Sequence, residues 1–171
     1  MGSFSSRAML VLAAFACLGA DPATAKRCRG VDGPFTSVLV PPPTCTSPVG
    51  LCTHGILTGD FPGTYDFTFQ TMAPVPDHPG RFFYTGQSVI TPAHGGGQLF
   101  SDDHGYLDMN PAGGSPFVTT VLIAQGSGRY ARSTGALVAQ GTLDLATGQA
   151  TGSYTGAICR PDDDDEHDED R

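Results

Sequence analysis

Residues 117–159 read FVTTVLIAQGSGRYARSTGALVAQGTLDLATGQATGSYTGAIC. Phe117 to Gln125 is an unbroken run of β-branched and apolar residues, the composition of a strand expected to be buried on both faces. Leu137, Ala139, Gly141, Leu143 and Leu145 then alternate with Val138, Gln140, Thr142 and Asp144. That period of two marks a half-buried strand, because successive side chains point to opposite faces. Ala146-Thr147-Gly148-Gln149 is a tight connection, and Tyr154, Gly156 and Ile158 place a last apolar face before Cys159.

The same rhythm runs upstream. CTHGIL, residues 52–57, reads as the first strand, and Tyr65, Phe67 and Phe69 alternate with polar residues to Gln70. Arg81 to Thr91 follows, with Gly86 as a bulge or barrel bend. Gly95-Gly96-Gly97 closes a turn before Gln98 to Ser101, and Asp102-Asp103-His104-Gly105 reads as another before Tyr106 to Met109. Asn110 to Pro116 holds the densest turn chemistry. No sustained 3.6-residue period appears beyond the N-terminal segment. About eight short strands with short links predict an all-β fold: one antiparallel sheet, closed or nearly closed, since closure removes both edges.

The ends have a different character. Arg7 precedes an apolar run from Ala8 to Ala20, and Ala23-Thr24-Ala25 has the small residues of a cleavage site. Residues 1–25 therefore read as a signal peptide, with export to the periplasm or the exterior after cleavage near Ala25. Thirteen apolar residues are too few for a membrane span, which needs about 20. Phe15, before Cys17, argues against a lipoprotein. Residues 26–48, with Pro41-Pro42-Pro43 and Pro48, are expected to be an irregular lead-in, since proline interrupts a ladder. Residues 49–160 form the barrel and 161–171 an acidic, disordered tail. Solubility is the simplest role for that tail, and weak calcium binding the alternative.

Cleavage leaves Cys28, Cys45, Cys52 and Cys159, an even set that reads as two disulfides with three possible pairings. The close C-x2-C spacing of structural zinc sites is absent, so no metal is expected. In a closed barrel with an even strand count, the first and last strands are antiparallel neighbours. With Cys52 opening the first and Cys159 ending the last, closure predicts Cys52–Cys159 and leaves Cys28–Cys45.

The chain holds 9 basic against 17 acidic residues, a net charge of -8, with 23 Gly, 14 Pro and no Trp. Eight of the acids lie in Asp162 to Asp170, and the stretch from Lys26 to Pro161 is almost neutral. A nucleic-acid partner is not expected, because such surfaces carry basic patches.

The segment Gly126-Ser127-Gly128-Arg129-Tyr130 through Gly135, with the closing strand Gly152 to Cys159, resembles the allene oxide cyclase and dirigent barrels. The similarity is greater to secreted bacterial proteins described as allene oxide cyclase barrel-like. The resemblance covers the last third of the chain, and the remainder in strand rhythm. It implies an eight-stranded calycin-like barrel and a homo-oligomer, trimer or dimer. The catalytic acids of those families do not align onto this chain, so the implication stops at the fold. A phosphate cradle at GSGRYARSTG lacks a following helix N-terminus, and a barrel turn explains its glycines.

Candidate chemistry is sparse. No G-x-S-x-G or H-E-x-x-H motif occurs, no cofactor motif is present, and residues 26–161 contain no Glu. His94, Asp102, Asp103, His104 and Asp108 could meet at a barrel rim for proton transfer or metal binding, although Asp103-His104-Gly105 is also ordinary turn chemistry. His54 reads as a sheet residue. Tyr65, Phe67, Phe69, Tyr84, Tyr130 and Tyr154 are candidates to line an apolar cavity, with His94 and His104 at its rim. Three functions follow: a binding or surface module holding a small apolar ligand, a cyclase or isomerase acting by confinement, or a structural barrel filled by its own side chains.

Overall fold

The computed structural model describes residues 26–109 and 114–161. The expected signal peptide, the acidic tail beyond Pro161 and part of the Asn110–Pro116 loop lie outside the described residues. Eight strands follow in order: β1 (Lys26–Leu39), β2 (Cys52–Leu57), β3 (Gly63–Pro74), β4 (Arg81–Pro92), β5 (Leu99–Asp108), β6 (Ser115–Gly126), β7 (Thr134–Asp144) and β8 (Gln149–Pro161). Each pairs antiparallel with the next and β8 returns to β1, so the all-β barrel is closed. The helical content of the described residues is one 3-10 turn, Gly128–Tyr130.

Eight strands were expected, but two of the assignments behind that number are corrected. Most of the supposed lead-in is strand: β1 pairs with β8 from Lys26↔Pro161 to Val38↔Gln149. Its prolines are placed where they cost no ladder bond. Pro41–Pro43 follow the strand. The Pro34 carbonyl faces the β2 side, where it accepts from the Thr58 N–H at 3.0 Å. The missing N–H faces the same way, beyond the last β2 partner, and the β8 ladder is untouched. Conversely, Asp102–Gly105 is not a turn but the middle of β5. Leu99, Ser101, Asp103, Gly105 and Leu107 form one uninterrupted inward row, whose small and polar members conceal the alternation.

The disulfides change with the strand assignment. Cys28 is bonded to Cys159 and Cys45 to Cys52, so Cys52–Cys159 and Cys28–Cys45 are both corrected. The closure argument holds, applied to the true first strand: Cys28 on β1 sits directly opposite Cys159 on β8. Cys45 instead pins the β1–β2 connection to the start of β2.

Inside the barrel, rings lie over glycines. A Cβ at Gly55 would come within 2.2 Å of the Tyr65 ring, one at Gly86 within 2.2 Å of Phe67, one at Gly105 within 2.8 Å of Tyr84 and one at Gly152 within 2.7 Å of Phe35. Eight strands enclose a space just wide enough for side chains, and missing side chains on neighbouring strands are what let these rings lie flat. The bulge expected at Gly86 lies instead on the facing strand: the register shifts between Phe69 and Thr71 on β3, and Gly86 is the partner of Phe69.

The apolar interior divides into two clusters. Val31, Ile90, Leu99, Ile123, Tyr130 and Ile158 belong to the group that seals the first end, where the β2–β3, β4–β5 and β6–β7 turns gather with the start of β1 and the end of β8. Leu99 there is fully buried. Phe67, Phe69, Tyr84 and Leu107 occupy the second end, against the partly exposed Leu51, Met72 and Met109.

On the chain-entropy model the Cys28–Cys159 bond, spanning 131 residues, contributes about 5 kcal/mol and the seven-residue Cys45–Cys52 closure about 2. Replacing Cys28 and Cys159 with serine is therefore expected to lower the urea-unfolding free energy more than replacing Cys45 and Cys52. Unreduced peptide mapping should recover Cys28–Cys159; recovery of Cys52–Cys159 would overturn the pairing.

Candidate functional site

Between the two clusters the inward rows carry small polar residues. Ser37 interrupts β1 beyond Phe35, Ser88 lies between Tyr84 and Ile90 on β4, Asp103 between Leu99 and Leu107 on β5, and Thr119 between Phe117 and Val121 on β6. They line a cavity of about 110 Å³ whose remaining wall, Thr53 and the tyrosine hydroxyls aside, is apolar and includes Leu57, Leu137 and Ala139. Asp103 is the one charged residue in that lining, and it is only 3% exposed.

The polar groups are mostly paired with one another. The Ser88 hydroxyl donates to Asp103 Oδ2, the Tyr84 and Thr119 hydroxyls are bonded to each other, and Tyr65 is hydrogen-bonded to Ser37. Three buried oxygens of the described residues make no hydrogen bond of ordinary geometry, Asp103 Oδ1, Ser101 Oγ and Ser133 Oγ, although Ser101, two residues before Asp103 on the same face, is close enough to favour its carboxylate. Loss of water is the main reason that the Asp103 carboxyl rises from 3.8 to about 6; Ser88 and then Ser101 act against it. Burial likewise pushes the Tyr84 phenol to about 12 and raises that of Tyr65. Near neutral pH the cavity therefore offers one carboxylate, set among neutral phenols and hydroxyls.

Of the anticipated lining residues, Tyr65, Phe67, Phe69, Tyr84 and Tyr154 do line the cavity. The Tyr154 hydroxyl is already engaged, donating to the Thr58 carbonyl at 2.7 Å and accepting from the Phe61 N–H at 3.1 Å. Tyr130 is buried in the plug at the first end. His94 lies in the β4–β5 turn and lines a separate depression at that end.

The rim constellation does not assemble. Asp102 and His104 are exposed on the outer face while Asp103 points inward, because consecutive strand residues alternate. His104 is therefore not at a cavity rim. Asp108 forms a two-pronged ion pair with Arg81, at 2.6 and 2.8 Å, and no group of three metal-ligating side chains occurs among the described residues. His54 is an outer-face residue, 2.7 Å from Asp66. The residues missed by sequence reasoning are Asp103 as an interior group, with Ser37, Ser88 and Thr119. A usable signal existed: Tyr84-x-Gly86-x-Ser88-x-Ile90 and Leu99-x-Ser101-x-Asp103-x-Gly105-x-Leu107 both keep period two when small polar residues count as inward.

No family model matches the chain, and no curated protein matches its sequence. Among solved structures it is similar to a pterocarpan synthase dirigent protein, with a TM-score of 0.50 and 13% sequence identity over 84% of this chain and 98% of that one. The likeness is one of fold. It agrees with the dirigent-like barrel that the closing segment suggested, and at such identity it transfers no residue roles.

Because the Asp103 carboxyl binds its proton more tightly in the folded barrel than in the unfolded chain, its own contribution to folding is greatest below about pH 4. It weakens as pH rises to about 6 and stays weakened above. Asp103→Asn should abolish that decline and raise stability at pH 7 by at most about 3 kcal/mol, with little change at pH 4. Urea unfolding at both pH values checks this.

Proposed function

We propose that the chain is a binding barrel that takes one ring or a short apolar segment into its interior, with a hydrogen-bond donor of the ligand directed at Asp103. The observation that carries this reading is the cavity itself, apolar over most of its wall, with the buried Asp103 carboxylate as its one charged contact. Its size sets the limit. A dry cavity of about 150 Å³ accepts benzene, and drug-sized pockets run to several hundred. At about 110 Å³, this interior takes a ring only with small adjustments of its lining. A larger ligand leaves its remainder outside the second end, where Leu51, Met72 and Met109 are partly exposed.

Phenol is the matching probe, with benzene as the apolar control. In methyl NMR spectra, phenol should shift Leu107, Val121 and Leu137, and Ala139→Leu, which fills the cavity, should remove those shifts. Overpacking of this kind costs typically 1–3 kcal/mol, so retained disulfides and strand dispersion confirm that the variant is folded. Shifts confined to outer-face residues, or unchanged by Ala139→Leu, would favour a filled barrel.

The isomerase reading is favoured by one observation: a carboxyl titrating near pH 6 can both give and take a proton. Any molecule that co-purifies can decide it. Incubation with fresh protein should shift its chromatographic retention at unchanged mass, and Asp103→Asn should stop that shift.

Two disulfides belong to an oxidising compartment, and no helix of the described residues is long and apolar enough to cross a membrane. Export after cleavage near Ala25 is the proposal consistent with both. A homo-oligomer is likewise proposed, on the outer face of β5–β7. The expectation that Phe117 to Gln125 is buried on both sides is corrected there: Val118 and Leu122 are exposed, alongside Tyr106 and Val138. Tyr106 and Val118 are direct cross-strand partners. Val118→Glu should shift the mass of the particle in light scattering to that of one chain; an unchanged mass would place the contact elsewhere or exclude it.

A further inference from the structure

At the sealed end of the barrel lies a second depression, of about 310 Å³, whose walls include Arg29, Arg129, Arg160, His94 and the rings of Phe61 and Tyr130. The parity of the strands makes this placement unusual. Along β1 the inward row runs Phe35, Gly33, Val31 and then Arg29; along β8 it runs Tyr154, Gly156, Ile158 and then Arg160. Two positions that continue the core-facing rows are thus guanidiniums. They stand just outside the apolar plug formed by Val31, Ile158 and Tyr130.

The third arginine is held by two interlocked turns. The Ser127 N–H donates to the Gln98 carbonyl at 2.8 Å, the Gln98 N–H to Ser127 Oγ at 3.0 Å, and the Arg129 N–H to the Gly96 carbonyl at 2.7 Å. A Cβ at Gly96 would lie 2.6 Å from Arg129 Cδ, so the glycine leaves the groove along which the arginine stem runs. The Arg129 and Arg160 guanidiniums sit 5.1 and 5.6 Å from the centroid of the same Tyr130 ring, an arrangement that orients both charges without neutralising them. The carboxylate in this lining is Asp60, which also lies 3.4 Å from the Asp32 N–H. Three guanidiniums against one carboxylate form a local excess of positive charge, although the rest of the stretch from Lys26 to Pro161 holds 4 basic and 7 acidic residues.

The geometry points to an oxyanion-binding site: a pocket for the carboxylate or phosphate group of a small organic molecule, whose apolar part rests on Phe61 and Tyr130. Planar guanidiniums suit such groups because they present paired N–H donors that match two oxygens. The site is separate from the interior cavity, and the apolar plug divides the two.

Isothermal titration of the full chain with benzoate and with inorganic phosphate, at fixed ionic strength, tests the assignment, with benzyl alcohol as the neutral control. Benzoate or phosphate should bind and benzyl alcohol should not. Arg129→Gln and Arg160→Gln should each weaken binding about tenfold, while Arg132→Gln, outside the lining, should leave it unchanged. The eight acids that follow Pro161 carry the same carboxylate chemistry. A second full-length chain with those acids replaced by their amides therefore distinguishes the source: binding that appears only there would support the site and identify the tail as its resident competitor. Absence of binding in both chains, or equal losses from Arg129→Gln and Arg132→Gln, would overturn the inference. Circular dichroism and the unreduced mass of each variant establish that it is folded.

Discussion

The narrowness of an eight-stranded barrel governs the rest of this structure. Closing eight strands leaves an interior that large side chains can fill, so each inward aromatic must be matched by something very small beside it. The chain meets that demand with glycine on the adjoining strand: Gly55 under Tyr65, Gly86 under Phe67, Gly105 under Tyr84 and Gly152 under Phe35. These rings then touch each other at tilted or edge-on angles, as Phe67, Phe69 and Tyr84 do. What remains in the middle is a small space of defined shape. The abundance of glycine is therefore a packing requirement as much as a matter of turns.

In so tight an interior a polar group must find a partner or hold a function. Ser37 with Tyr65, Thr119 with Tyr84 and Ser88 with Asp103 satisfy one another across neighbouring or nearby strands. Asp103 Oδ1 makes no hydrogen bond of ordinary geometry, and the barrel carries the cost of an under-solvated carboxylate above pH 6. Asp108 on the same strand is chemically identical, but it is paired with Arg81, which holds its carboxyl below the usual value.

The two ends are built differently because the chain enters and leaves at one of them. The Cys28–Cys159 bond and the long β1–β8 ladder hold that end together. The Tyr154 hydroxyl ties the β2–β3 turn to β8, and the turns around Gly96 and Gly128 interlock. Rigidity there allows guanidiniums to be held outside the core while apolar side chains seal the opening below them. The opposite end is covered by the partly exposed Leu51, Met72 and Met109.

The sequence alone determined what depends on local pattern. Period-two alternation in β3 and β7, the glycine turns and the absence of a helical period were sufficient for an all-β closed barrel, and Tyr65, Phe67 and Phe69 were placed inward by the same rule. Other features depended on partners distant in the chain. Residues 26–39 read as irregular because proline is judged by its own residue, whereas Pro34 is harmless only because β2 has already ended beside it. The disulfides followed that error, since pairing depends on which strand comes first. Asp103 looked like turn chemistry until its neighbours Ser101 and Gly105 were seen to belong to an inward row. Arg29, Arg129 and Arg160 are scattered along the chain, and only closure of the barrel brings them to one depression. Contacts made by closure have no local signature, and both candidate sites of this protein are made of such contacts.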